Sequence, residues 1–250
     1  MTSKCILALD FDGLLVDGLN ECLLVSWNGH HEVGVDRFSD TGLAELPDGF
    51  IAKFKHHRSF AKHLGHFYMA FQQDVGVFRS QREFDMAYES LPAREVEAFI
   101  QNVTAYRALA RQTWRERWLG YHAFYDGLAD WLLKTDLPVC IVTAKDAGSV
   151  SEILMQAGIE VPSNQIYGEC REKLTALQAV ANQFDVPRER VYFFDDNVLN
   201  AKDALHAGFR AHWARWGYNA PEHAEIARQV GLPTVQLHDL ITLGAEELAA

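Results

Sequence analysis

Basic residues are the minority charge in this chain: 23 Lys and Arg stand against 34 Asp and Glu, for a formal net charge of −11. Nucleic-acid binding draws on Lys and Arg clustered against phosphates, so duplex DNA and similar polyanions are excluded as the main partner. That balance does not bear on small anions. Cysteine is scarce, with four residues at 5, 22, 140 and 170 and no Cys-x-x-Cys pair. This excludes a zinc knuckle and a disulfide framework, and reduced, mostly buried thiols are expected. Long apolar runs are missing as well. The first segment, MTSKCILALDFDG, is continuously apolar only from Cys5 to Leu9, too short for a secretory signal or a membrane span. A cytoplasmic protein with no membrane partner is therefore expected. Internal repeats and low-complexity linkers are absent.

Apolar residues make up 48% of the 250 positions, enough to bury one large core or a core with a lid. Five short apolar runs stand out: CILAL at 5–9, PVCIVT at 138–143, VYFF at 191–194, FRAHW at 209–213 and TVQL at 234–237. They lack the alternation of a half-exposed strand, which is how strands buried on both faces of a parallel sheet read. Helical periodicity follows or precedes them in DGLADWLLKT, GSVSEILMQAG and KLTALQAVANQF. Gly158 and Gly208 stand where helix C-caps fall. The alternation predicts an α/β fold, a doubly wound parallel sheet.

Residues 20–120 read differently, with helical spacing and almost no strand signal. Phe60, Ala61, Leu64, Phe67, Tyr68 and Phe71 recur at threes and fours, as do Val96, Phe99, Ile100, Val103 and Tyr106. The expected organisation is an α/β core from residues 1–18 and 124–250, with a smaller, all-helical domain at 19–123 inserted after the first strand. The aromatic stripe is expected to form the core of that insertion. Trp114, Trp118 and Tyr121 are expected where it meets the α/β core.

The chemistry concentrates at strand ends. LALDFDG closes the first apolar run with Asp10 and Asp12, and ligands of open parallel sheets bind beyond the carboxyl ends of the strands. Taken alone, Asp and Gly after a strand are ordinary turn residues. A second pair, Asp195 and Asp196 in VYFFDD, brings more carboxylates to the same edge, and such groups repel unless a cation or proton lies between them. An all-oxygen donor set with room for water favours magnesium over calcium. Thr143 ends the PVCIVT run, where its hydroxyl and the following N–H groups can hold an anionic oxygen. Lys173 opens a helix, where its ammonium can neutralise both phosphate and carboxylates. Asp17 and Glu21, after the first motif, are expected to be solvated.

The order Asp-x-Asp, Thr, Lys, Asp-Asp resembles the signature of the haloacid dehalogenase (HAD) superfamily, over residues 1–18 and 124 to about 240. The position of the helical insertion resembles the family's type with a cap after its first motif. The resemblance implies a Rossmann-like core and a Mg2+-dependent phosphoric monoester hydrolase. Asp10 would be the nucleophile forming an aspartyl-phosphate, and Asp12 the general acid and base. Thr143, Ala144 and Lys173 would bind the phosphate. Metal ligands would come from Asp10, the backbone carbonyl of Asp12, Asp195 and Asp196. Asp12 favours phosphate chemistry, because dehalogenases and phosphonate-cleaving members of the family lack a carboxylate there. VTAKD resembles the Thr-Asn-Lys segment of phosphoglycolate phosphatases, with Ala144 in place of Asn. Leu14 stands where the commonest pattern has Thr, and the last motif takes the Asp-Asp form followed by Asn200.

The expected substrate is a small phosphorylated metabolite, bound by a monomer or homodimer. Two alternatives remain open: a phosphomutase resembling β-phosphoglucomutase, and a catalytically idle, phosphate-binding regulatory protein. Within the insertion, FIAKFKHHRSFAKHLGHF gathers Lys53, Lys55, His56, His57, Arg58, Lys62, His63 and His66. That basic surface, Arg58 included, either meets an anionic group of the substrate or is a solvated helix face. His63 and His66 lie one helical turn apart without a carboxylate partner, which argues against a metal site there.

Overall fold

The computed structural model describes residues 5–73 and 76–242. The chain divides into two compact units, one of Met1–Asp17 with Phe124–Ala250 and one of Gly18–Ala123.

The first unit is built on a parallel six-stranded sheet. Its strands are β1 (Ile6–Leu9), β4 (Val139–Val142), β5 (Ile166–Tyr167), β6 (Val191–Asp195), β7 (Arg210–Ala214) and β8 (Thr234–Val235), in the order β5-β4-β1-β6-β7-β8. Two short strands, β2 (Val16–Asp17) and β3 (Ala123–Phe124), form a separate pair. All five apolar runs contain sheet strands. The sixth, β5, is a two-residue edge strand that the sequence pattern does not announce. Every residue of β1 and β6 is buried, as strands covered on both faces require.

One face of the sheet packs Ile6, Ala8, Cys140, Val142 and Phe193 against Leu177 and Val180 of helix Lys173–Phe184 and Ala201 of helix Val198–His206. A fully buried phenylalanine such as Phe193 contributes about 1.5–3 kcal/mol. The helix before β4 runs Leu128–Lys134 and the one after it Ala147–Gln156. Gly158 and Gly208 follow their helices with φ of 74° and 88°, the left-handed turn that ends a helix. Cys5, Cys22 and Cys140 are buried, Cys170 is partly buried, and all four are free thiols.

Strand order locates the functional edge. From β1 the chain next joins the sheet at β4 on one side, whereas from β6 it continues to β7 on the other. The crevice between the carboxyl ends of β1 and β6 is therefore the switch point at which open α/β sheets bind ligands. Register aligns Leu9 with Phe194 across that seam, so Asp10 and Asp195 leave the sheet side by side.

Among the described residues, the second unit contains helices Leu19–His30, Asp40–Ala44, Asp48–Arg58, Gln81–Glu89, Ala93–Thr113 and Arg115–Gly120. Val96, Phe99, Val103 and Tyr106 form the buried stripe of the longest of these. The Phe60–Phe71 periodicity does not form one α-helix. The preceding helix stops at Arg58, His63 is extended, and Leu64–Phe71 winds as a 3-10 segment. Phe60, Phe67 and Tyr68 are nonetheless buried, and Phe60 stacks on Phe84 with ring centroids 5.7 Å apart.

One further expectation is corrected. Glu21 is fully buried rather than solvated: Arg107 donates to both its oxygens at 2.7 and 3.2 Å, and the Trp118 indole donates to Oε1 at 3.3 Å. Trp114, Trp118 and Tyr121 all make hydrogen bonds inside the helical unit, to Val35, Glu21 and Asp40. Among the described residues, no helix is long and apolar enough to cross a membrane.

Candidate active site

Asp10 is the first residue beyond β1, and its N–H donates to the Phe194 carbonyl at 3.0 Å, extending the β1–β6 ladder by one step. Its carboxylate is buried. Oδ1 accepts from the Phe11 N–H at 2.7 Å and from the Lys173 ammonium at 2.6 Å. Lys173, the first residue of its helix, also reaches Asp195 Oδ2 at 2.9 Å, so one cation bridges the carboxylates that end the two central strands.

Asp195 is held on both oxygens. The Asn197 N–H donates to Oδ1 at 2.7 Å, and the Asn200 amide donates to Oδ2 at 3.0 Å. Asp196 is fixed by the loop after β7. The Tyr218 N–H donates to its Oδ2 at 2.7 Å, and the Trp213 indole donates to its backbone carbonyl at 2.9 Å. The same loop reaches the turn after β1, where the Trp216 indole donates to the Leu14 carbonyl and the Tyr218 hydroxyl to Asp17 Oδ1. Asp17 is thus a hydrogen-bonded anchor of this loop rather than a solvated carboxylate.

Burial drives the Asp10 carboxyl well above the ordinary carboxylate range, and neighbouring Asp195 adds to the rise against the opposing pull of Lys173. Burial would lower the Lys173 ammonium, but Asp10 and Asp195 outweigh it and hold Lys173 above its usual value. The cluster is therefore short of positive charge.

Asp10, Asp195 and Asp196 each bring a carboxylate oxygen into one group whose atoms all lie within 4.8 Å of one another. Three buried oxygen donors without sulfur or imidazole fit a small hard cation that keeps several waters. Counting Asp12, four carboxylates face two ammonium groups, those of Lys173 and Lys145.

The other predicted residues take distinct places. Asp12 lies in the turn after β1, bridged to Val16, and its carboxylate faces Lys145 rather than the three-carboxylate group. Thr143, one residue past β4, is buried, and its Oγ accepts the Lys145 N–H at 3.2 Å, which leaves the hydroxyl proton to donate elsewhere. Ala144 is exposed between buried Thr143 and Lys145. Arg58 belongs to the helical unit, where it donates to the Ala61 carbonyl at 3.4 Å and lies over the Phe67 ring. His66 accepts the Lys62 N–H through Nδ1. Asn197 and the Trp216–Tyr218 loop escaped the sequence reading, and Lys145 entered it only as part of VTAKD, without a role.

No family model matches the sequence, and no curated protein matches it. Similarity appears at the level of structure. The chain superposes on a haloacid dehalogenase-like family hydrolase from Streptococcus pneumoniae with a TM-score of 0.56 and 16% identity, covering 97% of this chain and 98% of that one. A predicted phosphoglycolate phosphatase from Haemophilus somnus gives 0.60 and 19%, with 97% and 98% covered. A hydrolase from Pseudomonas syringae gives 0.60 and 15%, with 96% and 97% covered. The chain has the HAD-like fold: a Rossmann-like α/β core and a helical region in the same polypeptide.

Proposed function

We propose that this protein is a magnesium-dependent phosphatase that hydrolyses a small phosphate monoester through an aspartyl-phosphate on Asp10. One observation carries the reading: Asp10, Asp195 and Asp196 converge within 4.8 Å at the switch point, with Lys173 bonded to two of them. The folds it resembles, among them one described as a predicted phosphoglycolate phosphatase, support the same reaction class.

In this reading Lys173 and the Phe11 N–H hold the Asp10 carboxylate in place. An Asp10 oxygen attacks phosphorus, and the P–O bond to the leaving group breaks as the new P–O bond forms. Asp12 donates its proton to the departing oxygen. In the second half, Asp12 as carboxylate takes a proton from water, whose oxygen attacks phosphorus. The bond to Asp10 breaks, inorganic phosphate leaves, and Asp10 and protonated Asp12 are restored. The Thr143 hydroxyl donates to a phosphoryl oxygen, and the Lys173 ammonium offsets the charge that builds in the transition state. A magnesium ion held by Asp10, Asp195, Asp196 and the Asp12 carbonyl would supply the charge that lets a carboxylate approach an anionic ester.

The test is phosphate release from a panel of phosphoglycolate, sugar phosphates, nucleoside monophosphates and flavin mononucleotide, with magnesium or with EDTA, using the wild type and Asp10→Asn. Magnesium-dependent release that Asp10→Asn abolishes without unfolding supports the reading. Undiminished release in EDTA removes the metal from it, and no release from any ester overturns it. Isomer exchange among the sugar phosphates would then point to a phosphomutase.

A further inference from the structure

Lys145 is a buried cation that the proposed chemistry leaves without a role. Its side chain is 3% exposed, and Nζ lies 3.5 and 3.4 Å from Oδ1 and Oδ2 of Asp12. Burying an ammonium is costly unless a charge partner compensates, and a solvated surface lysine would not be packed this way. Its backbone is fixed from several directions. The Lys145 N–H donates to Thr143 Oγ, its carbonyl accepts the Glu169 N–H at 2.9 Å, and Gly168 packs so closely that a Cβ there would lie 2.9 Å from that carbonyl. Lys145 is therefore delivered to Asp12 by a rigid strand-end turn.

The distances define what it does there. At 3.4–3.5 Å to both oxygens, Lys145 forms an ion pair with the carboxylate as a whole, longer than the 2.7–2.9 Å of a tight charge-assisted hydrogen bond. Such a contact aims the carboxyl group while leaving its oxygens able to exchange a proton with a third group. Asp12 sits in a turn, tied through the backbone by the Gly13 N–H to the Val16 carbonyl at 2.8 Å, so its side-chain direction needs a separate restraint.

We propose that Lys145 is a positioning residue for Asp12, holding its carboxyl group aimed for proton transfer to and from the leaving-group oxygen. This rests on the phosphatase reading above. An alkyl phosphate, whose leaving alkoxide needs a proton, depends on that aim, whereas 4-nitrophenyl phosphate, whose phenolate leaves without one, depends on it much less.

The experiment compares wild type, Lys145→Met, Lys145→Arg, Asp12→Asn and the Lys145→Met/Asp12→Asn double variant on the best alkyl ester and on 4-nitrophenyl phosphate. Lys145→Met is expected to lower kcat on the alkyl ester by about 10- to 100-fold, less than the roughly 10²- to 10⁴-fold of general acid–base catalysis as a whole because Asp12 itself is still present. The loss on the aryl ester is expected to be at least about tenfold smaller, with KM within about twofold. Lys145→Arg should recover part of the loss, and Lys145→Met should add little to Asp12→Asn. Equal losses on both esters with a raised KM, or full additivity with Asp12→Asn, would overturn the proposal and make Lys145 a direct phosphate contact. A readout that needs no turnover separates this from the phosphatase reading. The side-chain ammonium of Lys145, assigned by its loss in Lys145→Met, should give an N–H NMR cross-peak that Asp12→Asn shifts or broadens. If no ester is hydrolysed but that peak responds, the phosphatase reading fails and the Lys145–Asp12 pairing stands. If the peak ignores Asp12→Asn, the positioning proposal fails whatever the activity.

Discussion

Gly13 and Asp196 are so close that a methyl group on Gly13 would lie 2.2 Å from Asp196 Oδ2. Gly13 also has φ of 93°, a conformation that side-chain-bearing residues adopt only at a cost. The turn after β1 is thus pressed against a carboxylate of the three-aspartate group, and the loop after β7 closes the other side: a Cβ on Gly217 would lie 2.3 Å from the Gly13 carbonyl. Gly13→Ala must displace the Asp196 carboxylate. The expected result is a lower melting temperature and magnesium binding weakened by about 10- to 100-fold, the range seen when supports of metal ligands are lost. Thermal shift against magnesium concentration measures both. An unchanged magnesium response would mean that Asp196 does not hold the ion.

The elements that carry the site were largely legible because they follow local rules. Apolar runs locate β1, β4 and β6, and the carboxyl end of a parallel strand is where a polar residue meets ligand, so Asp10, Thr143 and Asp195 follow from their positions, while Lys173 is read from its place at the start of a helix. What stayed hidden depends on distant partners. Glu21 reads as a solvated acid until Arg107, 86 residues later, arrives to pair with it. The contact of Gly13 with Asp196 and Gly217 leaves no periodicity, and Ile166–Tyr167 is too short to show one. The Phe60–Phe71 spacing misled because recurrence at threes and fours also suits a turn followed by a 3-10 segment.

The Glu21–Arg107 pair ties the two ends of the helical unit's chain together, since it joins helix Leu19–His30 to helix Ala93–Thr113. Both partners are substantially buried, with side-chain exposures of 0% and 17%. Removing one partner strands the other charge away from water. Glu21→Ala should therefore destabilise the protein by about 3–5 kcal/mol, measured by urea unfolding. The double variant Glu21→Leu/Arg107→Met should recover much of that, because apolar replacement of a whole buried pair is often neutral. If Glu21→Ala costs less than about 1 kcal/mol, water reaches the pair and its burial is not maintained in solution.

His57 gives the helical unit a pH-dependent stability whose sign is fixed. The imidazole is 2% exposed and packs against Phe78 and Phe84 with ring centroids 5.1 and 6.0 Å away. Burial, with a smaller contribution from neighbouring His56, lowers its pKa to about 4. The unfolded chain takes up a proton near the ordinary histidine value of about 6.5, while the folded chain resists doing so until about pH 4. Over that window the unfolded state binds more protons, so the stability contributed by neutral His57 is complete above about pH 6.5 and declines as the pH falls toward 4. The slope from this residue approaches about 1.4 kcal/mol per pH unit. Buried His223, also lowered to about 4 by burial, adds a slope of the same sign from the α/β unit. His57→Phe keeps a ring in the aromatic cluster and removes the titration. Its unfolding free energy should therefore depend less steeply on pH between 4 and 6.5 than that of the wild type, with the two curves running parallel above pH 7. Urea denaturation at half-unit pH steps checks this, and parallel curves down to pH 4 would show that His57 is protonated in the folded protein at no cost.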